Sequence, residues 1–135
     1  MAEASIVAGV AFSHPRTTAS HACSFPLTNI YGLPHGEACA FTLDYFLKFN
    51  AEHADGDGRI TALAKDCGFN DAFEMADEIT AMKKRMGMRC TLSEIGCETD
   101  EQIDELTKKS MSMLMTRNPI TLTQKDIKEM YIKLK

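Results

Sequence analysis

The sequence predicts an all-α protein, a multi-helical bundle, and three observations predict it. Apolar residues recur at three- and four-residue spacing in one segment after another. Thr, Asp or Asn precedes most of these segments and Gly follows several, the residue types that cap helix starts and helix ends. No stretch alternates apolar and polar residues as a half-buried strand does. Roughly seven helices result if the segments fill their ordinary lengths.

Taken in order, Ala4 to Phe12 is short, apolar and rich in small residues, and it stops before His14-Pro15 because proline disfavours helix at the residue before it. Thr17 or Thr18 caps a second helix running through His21 toward Tyr31, with Pro26 bending it or setting its end. Asn29 to Pro34 reads as a connection, punctuated by Gly32 and Pro34. A third helix from His35 to about Phe49 is apolar almost all round, which predicts burial at the centre of the bundle. Asn50 to Gly58 reads as a loop holding His53, and Arg59 to Cys67 as a short helix closed by Gly68.

Asn70 or Asp71 caps a helix from Ala72 to about Met86, ended by Gly87. Thr91 to Glu94 has the pattern of a capping box for a single turn. Thr99 caps a helix expected to reach Met115, and Thr123 caps the last, with Ile127, Met130, Tyr131 and Leu134 at helical spacing. The nine methionines are expected mostly to fill core gaps. Met111, Met113 and Met115 alternate on a helix, so some of them must face outward, marking a surface for another domain.

The 135 residues amount to one domain, read as a single helical unit over 1–135. A net charge of -4, with dispersed Lys and Arg, excludes a nucleic-acid footprint. No run of 18 apolar residues exists, so no membrane partner is expected. Five cysteines without CxxC spacing make neither a disulfide framework nor a zinc knuckle; they read as small buried residues of a reducing, cytoplasmic compartment. No glycine-rich phosphate loop occurs. Asp55-Gly56-Asp57-Gly58 resembles a calcium loop only at its start, since Arg59 and Ile60 stand at its fifth and sixth positions.

The informative constellation is His21 to His35-Gly36. One histidine sits on a helix and the other just past a Gly/Pro connection, so two imidazoles can converge. Imidazole suits Fe, Zn, Cu or Ni. By spacing alone, a metal pair and two satisfied histidines of a polar cluster both remain open. His14 is set apart from His21 by Pro15, and His53 reads as solvated.

The identity of the neighbouring residues adds to this. Ala4 to Phe12, Thr17 to His21, Pro34-His35-Gly36-Glu37-Ala38-Cys39-Ala40, Tyr45 to Asn50, Thr91 to Gly96, Asn118-Pro119 and Leu122 to Ile127 resemble, in order, the C-terminal helical domain of the iron-containing alcohol dehydrogenases. The resemblance implies His21 and His35 as metal ligands for Fe(II) or Zn(II), at the places of the family's last two histidines. It implies that an aspartate, a further histidine and the NAD(P)-binding domain lie in a preceding segment this chain does not contain. Phe25 stands where many members carry a further histidine; it is expected to pack the substrate-pocket wall.

The function so implied is hydride transfer between NAD(P) and a small alcohol or aldehyde in the intact enzyme, with the isolated chain inactive. Ser24 to Thr28 is closest to members acting on phosphonoacetaldehyde and similar aldehydes. The alternative is a non-enzymatic helical module that associates with itself or with a partner, such as the missing N-terminal half.

Overall fold

The computed structural model describes residues 1–135, and its regular structure consists of α-helices and short 3-10 turns without a strand. The first helix, α1, spans Ala2–Ser13 and buries none of its residues. Ile6, Val7, Val10 and Phe12 are all exposed, Val10 to 71%. After it Arg16 adopts a left-handed backbone (φ 66°), a conformation rare outside glycine, and turns the chain into the next helix.

Helix α2 (Ala19–Tyr31) is the central element, packing between α3 (His35–Phe41) and α7 (Asp100–Ser110). It buries Ala19, Ala22, Cys23 and Leu27 completely. Small residues at Ala19, Ala22 and Cys23 let its neighbours approach closely. Pro26 lies inside α2 and is buried, so it does not end the helix. The end comes at Gly32, whose φ of 70° supplies the left-handed cap and whose N–H donates to Thr28 O at 3.0 Å. The connection is thus shorter than Asn29–Pro34.

The single apolar helix expected from His35 to Phe49 is two helices, α3 and α4 (Leu43–Ala54), broken at Thr42. The break has a long-range cause. Lys83, from α6 (Ala72–Arg85), reaches in, and its buried Nζ donates to Phe41 O at 3.2 Å and to Asp44 Oδ1 at 2.7 Å. The Thr80 hydroxyl donates to the other Asp44 oxygen at 2.5 Å. A lysine hydrogen-bonded to a helical carbonyl takes the place of the next-turn amide. The split also means that this segment is not buried all round; α3 buries Ala38 and Phe41, and α4 buries Asp44 and Phe46.

Helix α4 continues to Ala54, so the expected loop Asn50 to Gly58 shrinks, and His53 sits on the helix. Its Nδ1–H donates to Phe49 O at 2.8 Å and its ring stacks on Phe49 at 4.4 Å. Asp55 caps α5 (Arg59–Asp66) from outside: its oxygens accept from the N–H groups of Ile60 and Thr61 at 2.7 and 3.0 Å. The Asp-Gly-Asp-Gly run is therefore a helix lead-in. Asp71 caps α6 through the N–H groups of Phe73 and Glu74, both at 2.9 Å.

Thr91 and Glu94 make the reciprocal bonds expected of them ahead of a 3-10 turn at Ser93–Ile95. Thr99 and Gln102 form a capping box on α7, and Thr123 and Asp126 another on α8 (Gln124–Lys133). Helix α7 stops at Ser110 rather than Met115, because Met111 is extended and Ser112 starts a 3-10 turn at Met113–Arg117. The Ser110 hydroxyl, buried, pairs with the Tyr131 hydroxyl at 2.8 Å and pins that end to α8.

Leu27, Phe41, Leu92, Ile103, Leu106, Met115, Ile127, Met130 and Tyr131 fill the one core. Only Met115 and Met130 of the nine methionines are buried, so most methionines do not fill the core. Met113 is exposed and Met111 half-buried, but neither lies on the α-helix expected of them. Of the cysteines, all free, Cys23 and Cys97 are buried, Cys39 and Cys90 half-buried and Cys67 exposed. No helix is long and apolar enough to cross a membrane.

Candidate metal centre

The turn Gly32-Leu33-Pro34 folds α3 back against α2, and Leu33 anchors it by full burial. This brings His21, on the first turn of α2, beside His35, the first residue of α3. Their ring centroids are 5.0 Å apart and the ring planes nearly perpendicular, at 89°. The convergence expected from the sequence is thus the geometry found. His21 is half-buried, whereas His35 is exposed. Burial, and next the positive charge His35 can carry, hold the His21 imidazole below its ordinary pKa. It is therefore more often neutral, the form in which imidazole binds a metal.

A third donor joins them that the sequence reading had placed among the packing cysteines. Cys39 lies four residues after His35, on the same face of α3. Its Sγ is 3.6 Å from His21 Nδ1 and 3.6 Å from His35 Nε2. The donor atoms of His21, His35 and Cys39 all lie within 4.8 Å of one another. The His-x-x-x-Cys spacing was the signal that could have found it.

Phe25, one turn after His21, covers both imidazoles. Its ring meets His21 edge-on at 4.9 Å and stacks against His35 at 6.2 Å, while remaining 45% exposed. Phe25 lines neither of the clefts that His21 borders. His14 and His53 do not join the cluster.

His21 and Cys39 face a cleft of about 420 Å³ that Arg16, Thr17, Thr18, Ser20, Gly36, Ala40 and Leu43 also line. A neighbouring cleft carries His21 to the end of α1 at Phe12 and Ser13. The open side of the histidine pair and the apolar helix thus adjoin. Behind the site, Glu37 holds α3 in place: its carboxylate accepts two bonds at 2.8 Å from the Arg89 guanidinium and one at 2.9 Å from the Arg89 N–H. That pairing holds the Glu37 carboxyl at about 2.

Two imidazoles and a thiol suit zinc or iron and are unlike the oxygen-rich sets that hold Ca²⁺ or Mg²⁺. The larger cleft elsewhere, about 650 Å³ between α4 and α8, is lined by Tyr45, Lys48, Phe49, His53, Asp126 and Lys133 and lies apart from these donors.

Residues 1–134 match the profile described as the Fe-containing alcohol dehydrogenase family, C-terminal. An alcohol dehydrogenase of Thermococcus barophilus is 30% identical over 131 residues, 95% of this chain and 34% of the relative. Among solved structures, the sulfoacetaldehyde reductase of Bifidobacterium kashiwanohense in complex with NAD+ is similar at 48% identity. It superimposes with a TM-score of 0.91 over 98% of this chain and 34% of that one. An iron-containing alcohol dehydrogenase from Thermococcus thioreducens superimposes with a TM-score of 0.72 at 26% identity, over 88% of this chain and 32% of that one. The chain spans about a third of the length of these relatives. It belongs to the iron-containing alcohol dehydrogenase family and corresponds to that family's C-terminal helical domain.

Proposed function

We propose that this chain is the metal-holding helical part of an NAD(P)-linked aldehyde reductase, with His21 and His35 as ligands of Fe(II) or Zn(II). The observation that carries the reading is the pair of imidazoles converging at 5.0 Å on an open face. When bound, the metal would polarise the aldehyde oxygen as a Lewis acid and the nicotinamide would supply hydride. The chain's own residues bind and orient. Phe25, having no titratable group, packs against the imidazoles and relays no proton. Glu37, through Arg89, fixes the turn of α3 from which His35 projects.

The substrate is a small aldehyde with an anionic head group. Two things support this: the similarity to a sulfoacetaldehyde reductase, and Arg16, a cationic residue that lines the cleft beside His21 together with Thr17, Thr18 and Ser20. A guanidinium matches the planar oxygens of a sulfonate or phosphonate.

Nucleotide binding and the remaining ligands belong to the two thirds of the relatives' length that this chain does not span. The exposed apolar α1 beside the histidines supports association with such a segment, or with another copy. By itself the chain should not oxidise NADH or NADPH with sulfoacetaldehyde. Co-expressed with the N-terminal two thirds of the Bifidobacterium reductase, it should do so, and Arg16→Ala should lower kcat/KM for sulfoacetaldehyde more than for propanal. Turnover by the chain alone contradicts the division of labour, and equal losses on both aldehydes contradict the anionic substrate.

A further inference from the structure

The metal-binding reading concerns two histidines, but the molecule presents three donors. Cys39 Sγ stands equally far, 3.6 Å, from one nitrogen of each imidazole. The thiol can donate its proton to one imidazole nitrogen and accept from the N–H of the other ring, so hydrogen bonding accounts for both contacts in the metal-free chain. The same two distances also match those a shared ion sets. With zinc bonds of about 2.3 Å to sulfur and about 2.0–2.1 Å to nitrogen, a tetrahedral centre sets sulfur and nitrogen about 3.5 Å apart. Both edges from Cys39 already have nearly that length, and all three donors lie within 4.8 Å.

The other cysteines do not offer this. Cys23 is buried against Tyr131 and Ser110, and Cys67 is exposed on α5's end. Cys39 alone lines the cleft with His21. Its place on α3, one turn after His35, gives a two-point grip from one helix, and α2 supplies the third point.

We propose that Cys39 is a third metal donor, so that this chain by itself holds a divalent ion in a His2Cys set formed by His21, His35 and Cys39. The proposal rests on the reading of His21 and His35 as ligands. On coordination the thiol gives its proton to solvent and the sulfur binds as thiolate. A set containing thiolate is softer than one of imidazole and carboxylate, and it shifts the preference from Fe(II) toward Zn(II). In the chain alone water would complete the set, and in an intact protein the ligands that the rest of the relatives' length would supply.

The test is anaerobic Co(II) titration of the chain, with X-ray absorption of its zinc-loaded form. The unmodified chain should show visible ligand-field bands and a near-ultraviolet sulfur-to-cobalt charge-transfer band, and its zinc spectrum a sulfur shell at about 2.3 Å. Cys39→Ser should lose the charge-transfer band and bind at least about 10-fold more weakly. Cys67→Ser should keep band, shell and affinity. Ligand-field bands without charge transfer, together with a nitrogen- and oxygen-only zinc shell, overturn the role of Cys39 and leave the histidine reading standing. Absence of ligand-field bands in the unmodified chain overturns both. The zinc spectrum decides the matter even if Cys39→Ser does not fold.

Discussion

The α7–α8 side of the molecule and the edge formed by α1 and the histidine pair were built by opposite rules. On the first side the local choices agree, save that the buried Thr107 hydroxyl finds no partner. Thr99 and Thr123 form capping boxes, Ile103, Leu106, Ile127 and Met130 are fully buried, and the one buried hydroxyl pair, Ser110 with Tyr131, is mutually satisfied. On the other, α1 has apolar residues and nothing to bury them against, and His35 stands exposed. The difference separates what folds the chain from what the chain offers to something else. A helix that is apolar all round is at home inside a larger protein, and here it adjoins the candidate metal donors.

The sharpest way to break this comparison is to damage the closed side. Lys83→Met removes the cation between Phe41 O and Asp44 and leaves a carboxylate nearly buried without its ion partner. It should cost about 3–5 kcal/mol in urea unfolding. Leu106→Ala, on the buried face of α7, should cost about 2–5 kcal/mol through the cavity it leaves.

A smaller effect comes from the α8 cap. Thr123→Ala should cost about 1 kcal/mol. Asp126 accepts the Thr123 hydroxyl and N–H at 2.7 Å each, and these bonds hold its carboxyl below the ordinary 3.8. The folded state therefore binds this proton more weakly than the unfolded state. Its contribution is complete above about pH 4, fades as pH falls through the lowered value, and should vanish in Asp126→Asn. The smallest effect belongs to the open edge. Val10→Ser, on the exposed face of α1, should shift stability by no more than about 0.5 kcal/mol. A large loss there would show that α1 is packed in solution, by a second copy for instance, which light scattering would reveal.

What was legible in the sequence follows the same division. Caps are local, so Thr99 and Thr123 could be placed from their neighbours alone and the α6 cap narrowed to Asn70 or Asp71, and the Gly/Pro turn between His21 and His35 foretold their convergence. Breaks made by distant groups could not be. The split of α3 from α4 depends on Lys83, some forty residues away, and α7 ends where Tyr131 meets Ser110. The methionines were misread because a helical face says which residues cluster, not whether anything covers them. Cys39 was missed by being counted as packing, although its four-residue spacing from His35 puts both on one face.

On this reading the chain keeps a preorganised part of a metal centre on its open edge. Anaerobic titration of Fe(II) and Zn(II) into the chain and into the His21→Ala, His35→Ala double variant tests it most directly. Tight, one-to-one binding to the first and its loss in the second are expected, with the helical circular-dichroism signal unchanged. Weak binding, equal in both, would contradict it and leave a helical module whose open edge serves association alone.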